Sequence, residues 1–211
     1  MAARSVELSS NITTYDMYIE FLYDLYEWWW NNLKNLDNEN QFFKKYNINK
    51  PYIVNTDSNV EMSLLQYMAY WPDGCSDQKL EYLMQICTEN GIYLNINARN
   101  NQGNTALHYA TMNSDCVEEL IANGADVNAR NNEADTPLHI ALRIPRQWTH
   151  IDNTDIAILL IDNKVTDINA RNNEGNTPLH IVLMMPYQLP NLDNTAIAIL
   201  LIKKGADINA K

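Results

Sequence analysis

The chain has 211 residues, enough for one domain or two small ones with a sizeable buried core. Hydrophobic residues make up 46% and charged residues 19%, a globular rather than a disordered balance. The formal net charge of −11 repels phosphate backbones and anionic lipid, which argues against nucleic acid or a membrane surface as a partner. No apolar run approaches the roughly 20 residues that span a bilayer. The opening "MAARSVELSSNITTYD" lacks the apolar core of a secretory signal. The cysteines are Cys75, Cys87 and Cys116, an odd number without a C-x-x-C pair. They suggest neither a disulfide framework nor a zinc site, and they fit a reducing compartment, cytosol or nucleus.

The first predicted element is a helix over about Thr14 to Leu36, opened by a capping-box pattern at Thr13 and Asp16. It contains three consecutive tryptophans. At about 100° per residue, Trp29 falls amid Tyr18, Leu22, Leu25 and Leu33, opposite Asp16, Glu20, Asp24, Glu27 and Asn31. Trp29 is therefore expected in a core. Trp28 and Trp30 lie at the margins of the apolar face. The sector also includes Tyr15, Ile19, Tyr23 and Tyr26, and "QFFKKYNINKPYIV", residues 41–54, can cover part of it. Two readings stand for the remainder: cover by neighbouring chain, or an exposed aromatic patch that binds a partner.

From residue 61 onward the chain repeats itself. One segment runs "NTALHYATMNSDCVEELIANGADVNAR" from Asn104, the next "DTPLHIALRIPRQWTHIDNTDIAILLIDNKVTDINAR" from Asp135, and the last "NTPLHIVLMMPYQLPNLDNTAIAILLIKKGADINAK" from Asn176. A worn copy, "MSLLQYMAYWPDGCSDQKLEYLMQICTENGIYLNINAR", starts at Met62. Thr followed by Pro starts a helix, because Thr caps it and Pro is tolerated in the first turn. Leu107, Leu138 and Leu179 fall on the buried side of that helix. A second helix carries "VEELI" or "IAILLI", and Gly124 or Gly205 ends it in the left-handed conformation. Lys164-Val165 stands where the third copy lacks that glycine. The tips "RNNQGN", "RNNEAD" and "RNNEGN" are turns. One such unit cannot bury its own face, so neighbours must stack.

The Thr-Pro-Leu-His and Gly-Ala-Asp-x-Asn signatures resemble those of the ankyrin repeat. They are carried by Thr105, Leu107, His108 and Ala110; by Thr136, Pro137, Leu138, His139 and Ala141; and by Thr177 to His180. The turn matches are Gly124-Ala125-Asp126 with Asn128, and Gly205-Ala206-Asp207 with Asn209. The resemblance covers residues 61–211 and implies an all-α solenoid of about four repeats, with residues 1–60 as an N-terminal helical cap. It also implies that His108, His139 and His180 tie turns of neighbouring repeats together by hydrogen bonds. A metal or catalytic role for these rings would need nearby carboxylates or a thiol, whereas whole repeats separate the copies. His150 is expected at the surface.

A regular ankyrin unit has about 33 residues. Arg99 to Arg130 is 31 positions, Arg130 to Arg171 is 41 and Arg171 to Lys211 is 40. The excess falls between the two helices, so three of the copies carry an extended inter-helix loop. In each long copy a proline stands nine positions after the helix start: Pro72 after Ser63, Pro145 after Thr136, and Pro186 after Thr177. Such a proline ends the first helix. Asn153 and Asn194 restart the second. Trp71, Trp148 and Tyr187 lie in these loops, and "RIPRQWTH" adds Arg143 and Arg146. The loops either pack on one another or form a recognition ridge.

Long repeats rich in Asn, Ile, Asp and Tyr with such inserts are similar to those of poxvirus, and in particular orthopoxvirus, ankyrin/F-box host-range proteins. That resemblance implies a host-cell cytoplasmic or nuclear protein. Its repeats would select a host signalling protein of the NF-κB family or a necroptosis kinase. A C-terminal F-box-like segment would recruit a Skp1–cullin ubiquitin ligase. The chain stops at "GADINAK" without that segment, so a fragment or a shortened product is expected. The alternatives are a cellular ankyrin scaffold and a viral decoy that sequesters without the ligase.

No catalytic fingerprint of the G-x-S-x-G, P-loop, H-E-x-x-H or Rossmann kind occurs, so no enzyme, metal or cofactor is expected. A pairing of Cys116 with a histidine could be imagined as a dyad, but Cys116 begins an apolar helix and nothing orients a base. Two partner-binding surfaces compete. One is the tips, with Asn132, Glu133, Asn173 and Glu174. The other is the cap and insert edge, with Trp28, Trp30, Trp71, Arg143, Arg146, Trp148 and Tyr187. The second is favoured, because hot spots prefer Trp, Tyr and Arg.

Overall fold

A computed structural model of the chain describes residues 48–50, 52–55, 60–70, 77–89, 91–111, 114–143, 153–184 and 194–210. The tryptophan helix expected near the N-terminus lies outside them, as do Trp71, Arg146, Trp148, His150 and Tyr187.

Eight helices form four consecutive pairs. They are α1 (Leu64–Tyr70) and α2 (Asp77–Glu89), α3 (Ala106–Ala110) and α4 (Ser114–Ala122), α5 (Pro137–Arg143) and α6 (Asn153–Asp162), and α7 (Pro178–Met184) and α8 (Asn194–Lys203). The first helices pack in a row, α1 on α3, α3 on α5 and α5 on α7. The second helices form a parallel row from α2 to α8. Helices of five to seven residues are marginal alone, so the first row owes its existence to packing. One apolar core runs the length of the stack. It includes Leu65, Leu107, Leu138 and Leu179 from the first row and Leu83, Leu120, Leu160 and Leu201 from the second. The expectation that Leu107, Leu138 and Leu179 face the core holds.

The starts and stops follow the local chemistry. Pro137 and Pro178 are the first helical residues, each preceded by Thr, and α6 and α8 begin at Asn153 and Asn194. Gly124 and Gly205 take φ of 92° and 98°, and the next amide closes back onto the helix: Ala125 N to Leu120 O and Ala206 N to Leu201 O, both 2.9 Å. The third copy closes without glycine. There the Thr166 hydroxyl donates to Leu160 O at 2.7 Å, so a side chain replaces the backbone donor.

A small antiparallel hairpin precedes α1, formed by β1 (Tyr52–Asn55) and β2 (Val60–Met62) with an irregularity between Ile53 and Asn55. No strand was expected there. Among the described residues it is the sole sheet, so the molecule remains an all-α stack.

Candidate protein-binding surface

Each first helix is opened by a reciprocal cap. The Thr136 backbone N–H donates to His139 Nδ1 at 3.2 Å, and the His139 N–H reaches back to Thr136 Oγ1 at 3.4 Å. Histidine thus fills the place usually held by Glu or Gln in a capping box. Because Nδ1 accepts, Nε2 carries the proton and donates. The Nε2 of His108 meets Asp135 O, and that of His139 meets Asn176 O, both at 3.1 Å in the following repeat. The ring therefore works as a neutral bridge, caps its own helix and holds the next turn. Burial pushes the His108 pKa down to about 4 and lowers that of His139 as well.

The first copy has no histidine and does the same with Gln66. Ser63 N–H donates to Gln66 Oε1 at 2.7 Å, and Gln66 Nε2 donates to Ala98 O and Asn104 O, both at 2.8 Å. Sequence reasoning passed over Gln66, although Ser63-x-x-Gln66 matches the capping-box pattern.

A second ladder runs along the turns. Asn97, Asn128 and Asn169 each accept the backbone N–H of Asp126, Asp167 and Asp207 respectively, at 2.7–2.8 Å. Their amide nitrogens donate to Gly124 O, Val165 O and Gly205 O, at 2.7–3.0 Å. Asn49 does the same with Asn95 N at 2.8 Å and Tyr93 O at 2.6 Å, so the ladder reaches back to residue 49. The signal was the likeness of "NINK" at 47–50 to "NINAR" at 95–99.

The tips hold themselves in the same manner. Buried Asn131 accepts from Glu133 N and Asp135 N, both at 3.0 Å. Asn132 donates its amide to Asn101 O and Asn173 its amide to Asn132 O, both at 2.9 Å. Both side chains therefore bond the preceding tip. Glu174 accepts from Asn176 at 2.9 Å, and Glu133 is exposed. Arg143 pairs with fully buried Asp135 at 2.6 Å and 3.2 Å, and Asn172 adds a bond to that carboxylate at 2.8 Å. This guanidinium holds its own repeat. A shallow groove of about 360 Å³ between the first and second tips carries Arg99 and Arg130, a cationic spot on an acidic molecule.

A family model described as "Ankyrin repeats (3 copies)" matches residues 45–147 and 115–211. The chain belongs to the ankyrin-repeat family. No curated protein matches it. The ankyrin stack is a protein-binding module. Both ring nitrogens of His108 and His139 are engaged. Burial pushes the Cys87 thiol up to about 11, far from a nucleophilic thiolate. Cys116 is fully buried and disulfide-bonded. This corrects the expectation of no disulfide and removes the thiol from the imagined dyad. Among the described residues no group of three His, Cys, Asp or Glu is placed to hold a metal, and no helix is long and apolar enough to cross a membrane.

Proposed function

We propose that the chain captures a host signalling protein, of the NF-κB family or a necroptosis kinase, in the cytoplasm or nucleus of an infected cell. A further F-box-like segment would hand the captured protein to a Skp1–cullin ubiquitin ligase. Membership of a protein-binding family supports the capture, and the Asn- and Ile-rich repeats with long inserts support the viral setting. The partner engages the insert edge and N-terminal cap, through Trp28, Trp30, Trp71, Arg146, Trp148 and Tyr187, more than the tips. One observation carries that choice: the amides of Asn132 and Asn173 are already spent on stacking, which leaves the tips few groups to offer.

The test compares two variants in affinity purification from mammalian cells. One carries Arg146→Ala with Trp148→Ala. The other carries Glu133→Ala with Glu174→Ala, which trims the tips at the loss of the exposed Glu174–Asn176 bond and leaves the bonds between tips in place. The edge variant is expected to lose the partner. Loss confined to the tip variant would sink the edge reading. A captured partner without cullin subunits, even when the F-box-like segment is supplied, would replace ligase delivery by sequestration.

A further inference from the structure

The groove between the first and second tips is walled by Asn97, Arg99, Thr105, Asp126, Asn128 and Arg130. Asn97 and Asn128 spend their amides on the ladder, and Thr105 Oγ1 meets the His108 ring at 2.9 Å. The groups left over are charged. Arg99 donates Nε to Gly103 O at 3.2 Å, and Arg130 donates one terminal nitrogen to Arg171 O. Both arginines are exposed, and among the described residues neither pairs with a carboxylate, in a chain that has 26 Asp and Glu. Asp126, the acid in the groove wall, turns Oδ1 to the Asn128 N–H at 2.9 Å instead.

Two like charges on one groove repel each other, and oxyanions set against them turn that cost into attraction. A guanidinium is a planar fork that matches a carboxylate. The net charge of −11 opposes an acidic ligand mainly at long range, because such a field is screened beyond about 8 Å at physiological salt. A nucleic acid would bring an unbroken line of phosphates against the acidic remainder, whereas a peptide brings carboxylates only where arginines stand. The spacing narrows the choice further. Arg99 precedes α3 and Arg130 precedes α5, and these helices pack on each other. Packed helix axes lie about 8–10 Å apart, so the two guanidinium groups are offered at about that interval. A polyproline II chain advances about 9 Å in each three-residue turn, so side chains three positions apart share a face at the same interval. In a β-strand the third residue faces the other way.

We propose that this groove binds an acidic, Pro-rich peptide segment in the polyproline II conformation, with carboxylates three residues apart on Arg99 and Arg130. Asp126 keeps Oδ2 for a backbone N–H of the same peptide, since a polyproline II chain makes no internal hydrogen bonds. The site is separate from the insert edge and does not depend on the viral setting.

The test follows the fluorescence anisotropy of a fluorescein-labelled Pro-rich peptide with Glu at every third position, titrated with the full chain. One-to-one binding is expected. The same peptide with Gln for Glu, and one of equal composition with the glutamates adjacent, should each bind at least several-fold more weakly. Arg99→Gln and Arg130→Gln should each weaken binding about tenfold, the worth of a charge-assisted bond. Arg99→Lys and Arg130→Lys keep the charge but lose the fork, and should cost a few-fold. Circular dichroism checks folding; should a Gln variant unfold, the Lys variants and the peptide series decide. Lys203→Gln, which removes an exposed charge on α8, should leave binding unchanged. Absence of binding overturns the proposal, as does equal affinity for the Glu and Gln peptides or for the two spacings. So does an equal loss in Lys203→Gln, or tighter binding of an oligouridylate of matched charge, which would make nucleic acid the occupant.

Discussion

Replacing Gln66 by Leu is expected to lower the unfolding free energy by about 2–5 kcal/mol, although the two side chains are close in size. Gln66 is almost fully buried and serves three groups: Ser63 N–H, Ala98 O and Asn104 O. Asn104 O keeps a second donor, the Asn100 N–H at 3.0 Å. Ser63 N–H is left buried and Ala98 O part-buried without that partner, at about 1–3 kcal/mol for each group, the carbonyl toward the lower end. The added apolar burial of Leu offsets a small part. Replacement by His should recover most of the loss and finish within about 1 kcal/mol of the starting protein, because the ring can take the Ser63 N–H and reach Asn104 O, as His139 does in its own repeat. Urea titration followed by far-ultraviolet circular dichroism measures both variants. A Leu variant within about 0.5 kcal/mol of the unsubstituted chain, the spread of ordinary surface changes, would refute the reasoning. Equal losses for Leu and His would refute the equivalence of the two residues.

Other outcomes follow from the same geometry. Leu138→Ala should cost about 2–5 kcal/mol in the same titration, since it empties a fully buried site between stacked repeats; a change near zero would refute the packing. Ala134 sits at φ 57°, where Gly103 and Gly175 stand in sister tips, so Ala134→Gly should raise stability by up to about 1 kcal/mol. Gly103→Ala should lower it beyond backbone strain alone, because the new Cβ would lie 2.8 Å from Asn132 N. Acidification should weaken the stack. An unfolded His108 takes its proton near 6.5, and the folded one resists until about 4, so the unfolded state binds more protons between these values. Its contribution is intact above about 6.5, declines as the pH falls and is gone below about 4, a total of about 3 kcal/mol. His108→Gln should flatten that part of the pH profile.

The Thr-Pro-Leu part of the signature was legible because each residue acts within one helical turn: Thr caps, Pro opens and Leu faces the core, whereas the part His plays in the cap was not read. The periodic leucines were legible for the same reason. Roles defined by another repeat were not legible from the residues alone; the histidine bridges to the next repeat came from the family resemblance, and the structure places those of His108 and His139. The local Ser63–Gln66 cap and the NINK likeness were there to be read, but the bond of Gln66 to Asn104 O, 38 residues away, and the grip of Asn49 on residues 93 and 95 depend on the next repeat. Arg143 was singled out by residue type. Its carboxylate partner Asp135 lies eight positions earlier, outside any helical spacing, so the pair could not be read from periodicity. Cysteine parity misled about Cys116, because an odd count leaves room for a bond. The inserts and the tryptophan helix lie outside the described residues, so the favoured binding edge rests on sequence and on what the tips have already committed.

That commitment has a physical origin. Leu107, Leu138 and Leu179 are the same residue at the same position, so apolar packing alone does not tell one repeat from its neighbour or fix how far one slides along the next. Directed bonds do. A His donor meets one carbonyl, and an Asn amide meets one carbonyl and one N–H, so a shift by a single residue would break the exposed asparagine bonds and leave the buried imidazole unpaired, the latter at about 1–3 kcal/mol. A stack locked in this way gains a unique register and gives up the freedom of its tip amides. On the proposed reading, recognition falls to side chains that the lock does not use. The proposal assigns that part to the arginine and aromatic residues of the inserts, where a change of sequence would alter what is bound while the asparagine and histidine bonds described here still set the register.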